Sequence, residues 1–231
     1  MLQCGPHRRC ARPALALVFA SLASHAAPPE SCGAPGMLLE RFITADCEVC
    51  WRGGDTPSGT PLALDWIVPS PRGDDAPLAA AALPEAGVRA GTIAQTATTS
   101  RRHVLPSGAG LSLRVEQGPP FNGYIAAQVD VERDAARGGR PAPSGAVAYL
   151  ALVEQVRAGE EGATVQRMLV RAVVGPLPLD PDRSGVAHLH AFRVPQGSRP
   201  ARLVAVGWAE APGGRVIAAA RVEPDACLPA R

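Results

Sequence analysis

Residues 37–61 restrict the fold more than any other stretch of the chain. Met37 to Thr44 (MLLERFIT) reads as a short apolar strand that runs straight into Ala45-Asp46-Cys47-Glu48-Val49-Cys50. A long helix cannot follow, because Gly53, Gly54, Pro57, Gly59 and Pro61 leave room for one turn at most. The chain returns as a second core strand, Leu62–Val68 (LALDWIV), closed by Pro69-Ser70-Pro71. Asp75 is placed to cap a short helix with Pro77 in its first turn, Ala79 to Leu83 as its body and Pro84 as its end.

From Leu111 the texture changes to strands separated by turn residues. Leu111, Leu113 and Val115 alternate with Ser112, Arg114 and Glu116, and Ile125, Ala127, Val129 and Val131 alternate with Ala126, Gln128 and Asp130. Period-two patterns of this kind mark half-buried strands. Ala146–Gln155 is apolar on both faces, which predicts a central strand. Thr164–Val174, Val186–Val194, Leu203–Glu210 and Arg215–Glu223 follow, divided by turns such as Ala211-Pro-Gly-Gly214. Seven strands at this spacing predict an antiparallel β-sandwich, with its clearest hairpin at the end.

The first residues have a different character. Arg8, Arg9 and Arg12 form a basic head, Pro13 to Ala23 is an apolar run too short to span a bilayer, and Ser24-His25-Ala26 supplies small residues for a peptidase. The expectation is a signal peptide over 1–26, a periplasmic or secreted bacterial protein, and no stable membrane insertion after cleavage. Loss of Arg8, Arg9 and Arg12, with no acidic residue, takes the 23 basic residues to 20 against 21 acidic ones. A charge so near zero gives no footing for nucleic acid.

Cleavage would also remove Cys4 and Cys10, leaving Cys32, Cys47, Cys50 and Cys227. An even count in an oxidising compartment allows three connectivities. Adjacency favours Cys47–Cys50, and a structural disulfide Cys32–Cys227 would then tie together the two ends of the mature chain.

Leu39-Glu40-Arg41-Phe42-Ile43-Thr44-Ala45-Asp46-Cys47-x-x-Cys50 resembles the opening strand and dithiol of an uncharacterised family of exported bacterial thioredoxin-like proteins. The family's motif runs roughly Glu-Leu-Phe-Thr-Ser-x-x-Cys-x-x-Cys. Gly159-Glu160-Glu161-Gly162 with Leu169-Val170-Arg171 is similar to its Gly-Glu-Asn-x-Gly…Val-Val-Arg stretch, and Val204–Trp208 with Gly213–Ile217 to its closing hairpin. The resemblance implies an α+β, β-rich fold: an abbreviated thioredoxin-like N-terminal half (27–110) packed with an antiparallel β-sandwich-like C-terminal half (111–231). The chain departs from the pattern at Trp51, where the family carries proline. It also lacks a proline at the head of a later strand, Pro106 being the one proline between Gly87 and Gly110.

Two functions from different classes follow. In the first the protein is a thiol–disulfide oxidoreductase with Cys47 and Cys50 as catalytic residues, Cys47 attacking and Cys50 resolving the mixed disulfide. Asp46 and Glu48 oppose a thiolate at Cys47 and only Arg52 favours it, which predicts weak activity. In the second the dithiol is a vestigial bridge in a non-catalytic envelope binding protein, acting through loops such as 134–144 on another envelope protein. His188 and His190 share a strand face downstream of Asp180 and Asp182, a conceivable metal site that more often is a solvated sheet face. No Gly-x-Ser-x-Gly, phosphate loop or dinucleotide fingerprint is present, and no cofactor is implied.

Overall fold

Helix is scarce in this protein. In the computed structural model, which describes residues 35–54, 62–91, 97–106, 111–133, 142–180 and 185–223, the α-helices are α1 (Glu48–Arg52) and α2 (Pro84–Ala90), both very short. The chain divides into Met1–Glu30 and Ser31–Arg231, and the described residues belong to the second part. The expected leader, Cys32, Cys227, Asp182 and most of the 134–144 loop lie outside them.

Ten strands do the rest: β1 (Met37–Thr44), β2 (Leu62–Val68), β3 (Thr98–Val104), β4 (Leu111–Gln117), β5 (Tyr124–Arg133), β6 (Val147–Val156), β7 (Arg167–Pro178), β8 (Gly185–Arg193), β9 (Leu203–Ala211) and β10 (Arg215–Arg221). Seven form one mixed sheet in the order β10-β9-β6-β7-β2-β1-β3, and β4-β5-β8 form a small antiparallel sheet. β1 runs parallel to β2 in full register from Leu38↔Leu62 to Thr44↔Val68. β2 meets β7 in parallel at a single pair, Asp65↔Leu169.

This arrangement overturns the α+β expectation. The protein is mostly β, and it has no α+β thioredoxin-like half beside a separate sandwich. Strands from both sides of residue 110 share the large sheet. The physical reason is local. The Gly/Pro-rich stretch after Cys50 stops α1 at five residues, with Gly53 extended at its end, so too little helix exists to build a helical layer.

Three clusters of buried side chains follow from the alternation of side chains along the strands. On one face of the large sheet, Leu38, Phe42, Leu64, Trp66, Val170, Val206 and Trp208 pack beneath Ala86 and Ala90 of α2. On the other face, the small sheet lays Val115, Ile125, Val129 and Val131 on Leu150, Leu152, Ala205 and Ala209. The sheets approach so closely there that a Cβ on Gly207 would sit 2.9 Å from methyls of Val115 and Val129. The third cluster, Ile43, Ile67, Leu169 and Trp51, lies on that second face at the β1–β2–β7 end, under α1.

β6 is central, as its two apolar faces require, with β7 on one side and β9 on the other. The helix expected over Ala79–Leu83 is instead a single 3₁₀ turn, Ala79–Ala81, and Asp75, expected as its cap, ends a separate 3₁₀ turn, Gly73–Asp75. Pro84 does not end a helix but starts one, occupying the first turn of α2, where its missing N–H costs nothing.

Candidate functional site

The dithiol sits on the face of the large sheet that carries Ile43 and Ile67. Cys47 donates its N–H to Thr44 O at 2.9 Å, and α1 begins at the next residue. Cys47 and Cys50 form a disulfide, Cα atoms 5.2 Å apart, half-buried against the third cluster. A five-residue helix cannot hold itself, and Arg167 of β7 collects its carbonyls. Arg167 Nη2 donates to Cys50 O at 3.0 Å, to Trp51 O at 2.7 Å and to Gly53 O. Its guanidinium also lies 5.3 Å from the centre of the Trp51 ring.

Trp51, the departure from the family pattern, is a second anchor, its Nε1–H donating to Glu161 O at 2.7 Å. Glu161 holds a left-handed backbone, φ 48°, within Gly159-Glu160-Glu161-Gly162. Thr164 gives both its N–H (2.9 Å) and its hydroxyl (2.6 Å) to Arg52 O.

Asp65 underlies this clamp, fully buried on β2. It accepts Arg41 Nη2 at 2.8 Å, the Met168 N–H at 2.8 Å and Arg167 Nη1 at 3.3 Å. Burial pulls Arg167 below the ordinary guanidinium range; Asp65 opposes the shift and Arg41 adds to it. The cations near Cys47 are turned to carboxylates: Arg52 to Glu48 at 2.5 Å and Arg72 to Asp46 at 3.6 Å.

The opposite face carries a constellation that the sequence reading did not single out. A cavity of about 490 Å³ opens between α2, β3 and the β6–β7–β9 strands. Its floor is Glu40, fully buried on β1, which accepts Trp66 Nε1–H at 3.1 Å, Arg89 Nη2 at 3.1 Å and Arg89 Nε. His103 Nε2 lies 3.1 Å from Glu40 Oε2. Arg89 Nη2 also donates to Glu210 Oε1 at 2.6 Å, and the Trp208 indole N–H meets the same oxygen at 2.9 Å.

The Arg89 guanidinium lies 4.8 Å from the Trp208 ring, 5.3 Å from Tyr149 and 5.8 Å from Trp66, an aromatic cage around a cation. Burial alone would raise the Glu40 carboxyl, but His103 and Arg89 outweigh it and hold the group below its ordinary range. Burial likewise works against the Arg89 charge, and Glu40 and Glu210 overcome it, raising the guanidinium.

Sequence and local structure explain how these groups meet. Arg101 of β3 donates to the carbonyls of Arg89 and Ala90 at 2.9 Å each, fixing the C-terminal end of α2 over the sheet. Gly175 passes beside Tyr149 with φ 141°, where a Cβ would come within 2.4 Å of the ring. The Gly175–Pro176 bond is cis, and among the described residues this cis-proline borders the cavity rather than the dithiol.

The strands carried a usable signal: Glu40, Asp65, Glu154 and Glu210 are lone acids at inward positions of apolar strands, and all four are buried. His188 Nε2 meets Pro178 O at 3.2 Å, while the exposed His190 meets Phe192 edge-on, ring centres 4.6 Å apart. No cluster of three metal-ligating side chains occurs among the described residues.

Fold and geometry together define a mixed-β protein with a surface disulfide on one face of its main sheet and a polar-floored cavity on the other. No family model and no curated protein matches the sequence. Among solved structures the chain is similar to HBP35 of Porphyromonas gingivalis, with 11% sequence identity and a TM-score of 0.50 over 86% of this chain and 79% of that one. The likeness is one of fold.

Proposed function

We propose that the protein exchanges thiols and disulfides in the bacterial envelope through Cys47 and Cys50. The observation that carries this reading is that contacts other than the disulfide also hold α1. Arg167, the Trp51 indole and Thr164 already secure the carbonyls and side chain of the turn. A bridge closing so short a loop adds only about 2 kcal/mol in the loop-entropy account. A half-buried disulfide that the fold does not need is free to open and close.

In the oxidised protein a substrate thiolate attacks Cys47 Sγ, and Cys50 leaves as a thiolate. A second substrate thiolate then attacks its partner sulfur in the mixed disulfide and releases Cys47. Two electrons pass from the substrate dithiol to the Cys47–Cys50 pair, and protons from solvent complete the thiols. The reverse sequence reduces a substrate disulfide.

Equilibration in glutathione redox buffers, followed by thiol trapping, tests the reading. The expected potential lies within the range of oxidoreductases, about −120 to −270 mV. Insulin reduction should be slow, because Arg52 and Arg72 are occupied by Glu48 and Asp46, and Cys47→Ser should abolish it. A potential below about −300 mV would mark a structural bridge instead.

A further inference from the structure

We propose that the cavity over Glu40 and Arg89 binds an uncharged small organic molecule, an apolar body carrying a carboxamide-type group that both donates and accepts. The volume, about 490 Å³, is that of a small-molecule site. The site lies on the sheet face opposite the disulfide and does not depend on its chemistry.

The polar groups at the floor are only partly used. Arg89 spends Nε and Nη2 on Glu40 and Glu210, and its Nη1 has no acceptor among the described residues. Glu210 receives both of its donors on Oε1, leaving Oε2 without one among the described residues. The Tyr149 hydroxyl has no partner there either, although its ring is fixed against Trp208 at 5.2 Å. All three residues line the cavity. The network therefore leaves a donor, an acceptor and a hydroxyl on residues that line an open volume.

Charge selects the class of ligand. Arg89 bridges Glu40 and Glu210, Arg101 is turned to the carbonyls of Arg89 and Ala90, His103 faces Glu40, and the remaining lining charge, Glu85, is exposed at the rim, where water screens it. An entering anion or cation would lose its hydration with no counter-charge waiting. A neutral amide suits both free groups, its carbonyl accepting from Arg89 Nη1 and its N–H₂ donating to Glu210 Oε2. Apart from Glu85 at the rim, the side chains of the remaining walls are apolar: Pro84, Val88, Val173 and Pro176, with Val88 85% exposed. They supply the surface against which an apolar body loses water.

The three tryptophans give the test its readout. The indole N–H groups of Trp66 and Trp208 bond to Glu40 and Glu210, whereas that of Trp51 bonds to Glu161 O on the opposite face. Nitrogen-15-labelled protein is titrated with benzamide, benzoate and benzamidinium, which share a ring and differ in head-group charge. Benzamide should shift the Trp66 and Trp208 indole signals saturably, leave Trp51 in place, and bind at least about tenfold tighter than either ion. Nuclear Overhauser contacts from its ring should reach the Val88 and Val173 methyls in the unaltered protein. Absence of a saturable shift, benzoate or benzamidinium binding as tightly as benzamide, or contacts at other methyls would each overturn the proposal.

Discussion

The large sheet carries a buried carboxylate–guanidinium network on each face, and the two diverge at adjacent residues of one strand. Glu40 faces the cavity, while Arg41 turns to Asp65 on the dithiol face. On the dithiol side Arg167 Nη1 goes to Asp65 and Nη2 to the carbonyls of Cys50, Trp51 and Gly53, its Nε is sealed in without an acceptor among the described residues, and Asp65 takes the Met168 N–H at the one point where β2 meets β7. That network is a clamp. On the cavity side the network closes round Arg89 but leaves polar atoms facing open space. The difference teaches that burial alone does not mark a functional charge; what distinguishes one is where its unspent hydrogen bonds point.

The sharpest way to break the comparison is to remove the centre of the clamp. Asp65→Ala takes the carboxylate from Arg41 and from Arg167, whose side chain is only 1% exposed. Losing one partner of a buried pair costs about 3–5 kcal/mol. Urea denaturation should show a loss of that size. Asp65→Asn should cost less, since its amide oxygen still accepts the Met168 N–H. A loss under about 1 kcal/mol for Asp65→Ala would mean the clamp is not what holds α1 and the β2–β7 seam.

On the other face the effect should be smaller and should depend on pH. Glu40→Gln keeps an oxygen for Trp66 and Arg89 but loses the charge, at about 1.5–3 kcal/mol. The folded Glu40 carboxyl lies below its ordinary value of 4.5. Its contribution is therefore complete above pH 4.5 and is lost as pH falls from there through the folded value. Thermal melts from neutral pH into acid should descend more steeply below pH 4.5 for the unaltered protein than for Glu40→Gln. Parallel descents would show that the Glu40 charge does not stabilise the fold.

How much of this was legible in the sequence differs by element, for physical reasons. β1, β2 and β4 to β10 carry period-two or continuous apolar patterns because their inward side chains meet only other side chains of the core. β3 carries no apolar alternation because its half-buried positions are Thr99, Arg101 and His103, the last two lent to the cavity. α2 was misplaced by one proline, read as a stop when its ring occupies the start. The dithiol was plain from spacing alone. The cavity was not, because its members come from β1, β2, α2, β3, β6, β7 and β9, and only the register and the crossover order of the sheet bring them together.

The smallest effect is expected at the most conspicuous motif. A Cys47→Ser/Cys50→Ser double variant removes the disulfide but leaves the Cys47 N–H on Thr44 O, the Thr164 bonds on Arg52 O and the Arg167 donors on Cys50 O and Trp51 O, all of which end on main-chain atoms. The two side chains are half-buried beside Ile43, Ile67 and Leu169, so exchanging each sulfur for a smaller oxygen opens little volume. The loop they close is short, and the entropy returned to the unfolded chain amounts to about 2 kcal/mol or less. Urea denaturation of the variant, beside Asp65→Ala, measures both ends of the scale in one experiment. A loss for the double variant as large as that for Asp65→Ala would make the disulfide the true fastener of α1, and would turn the exchange reading into a structural one.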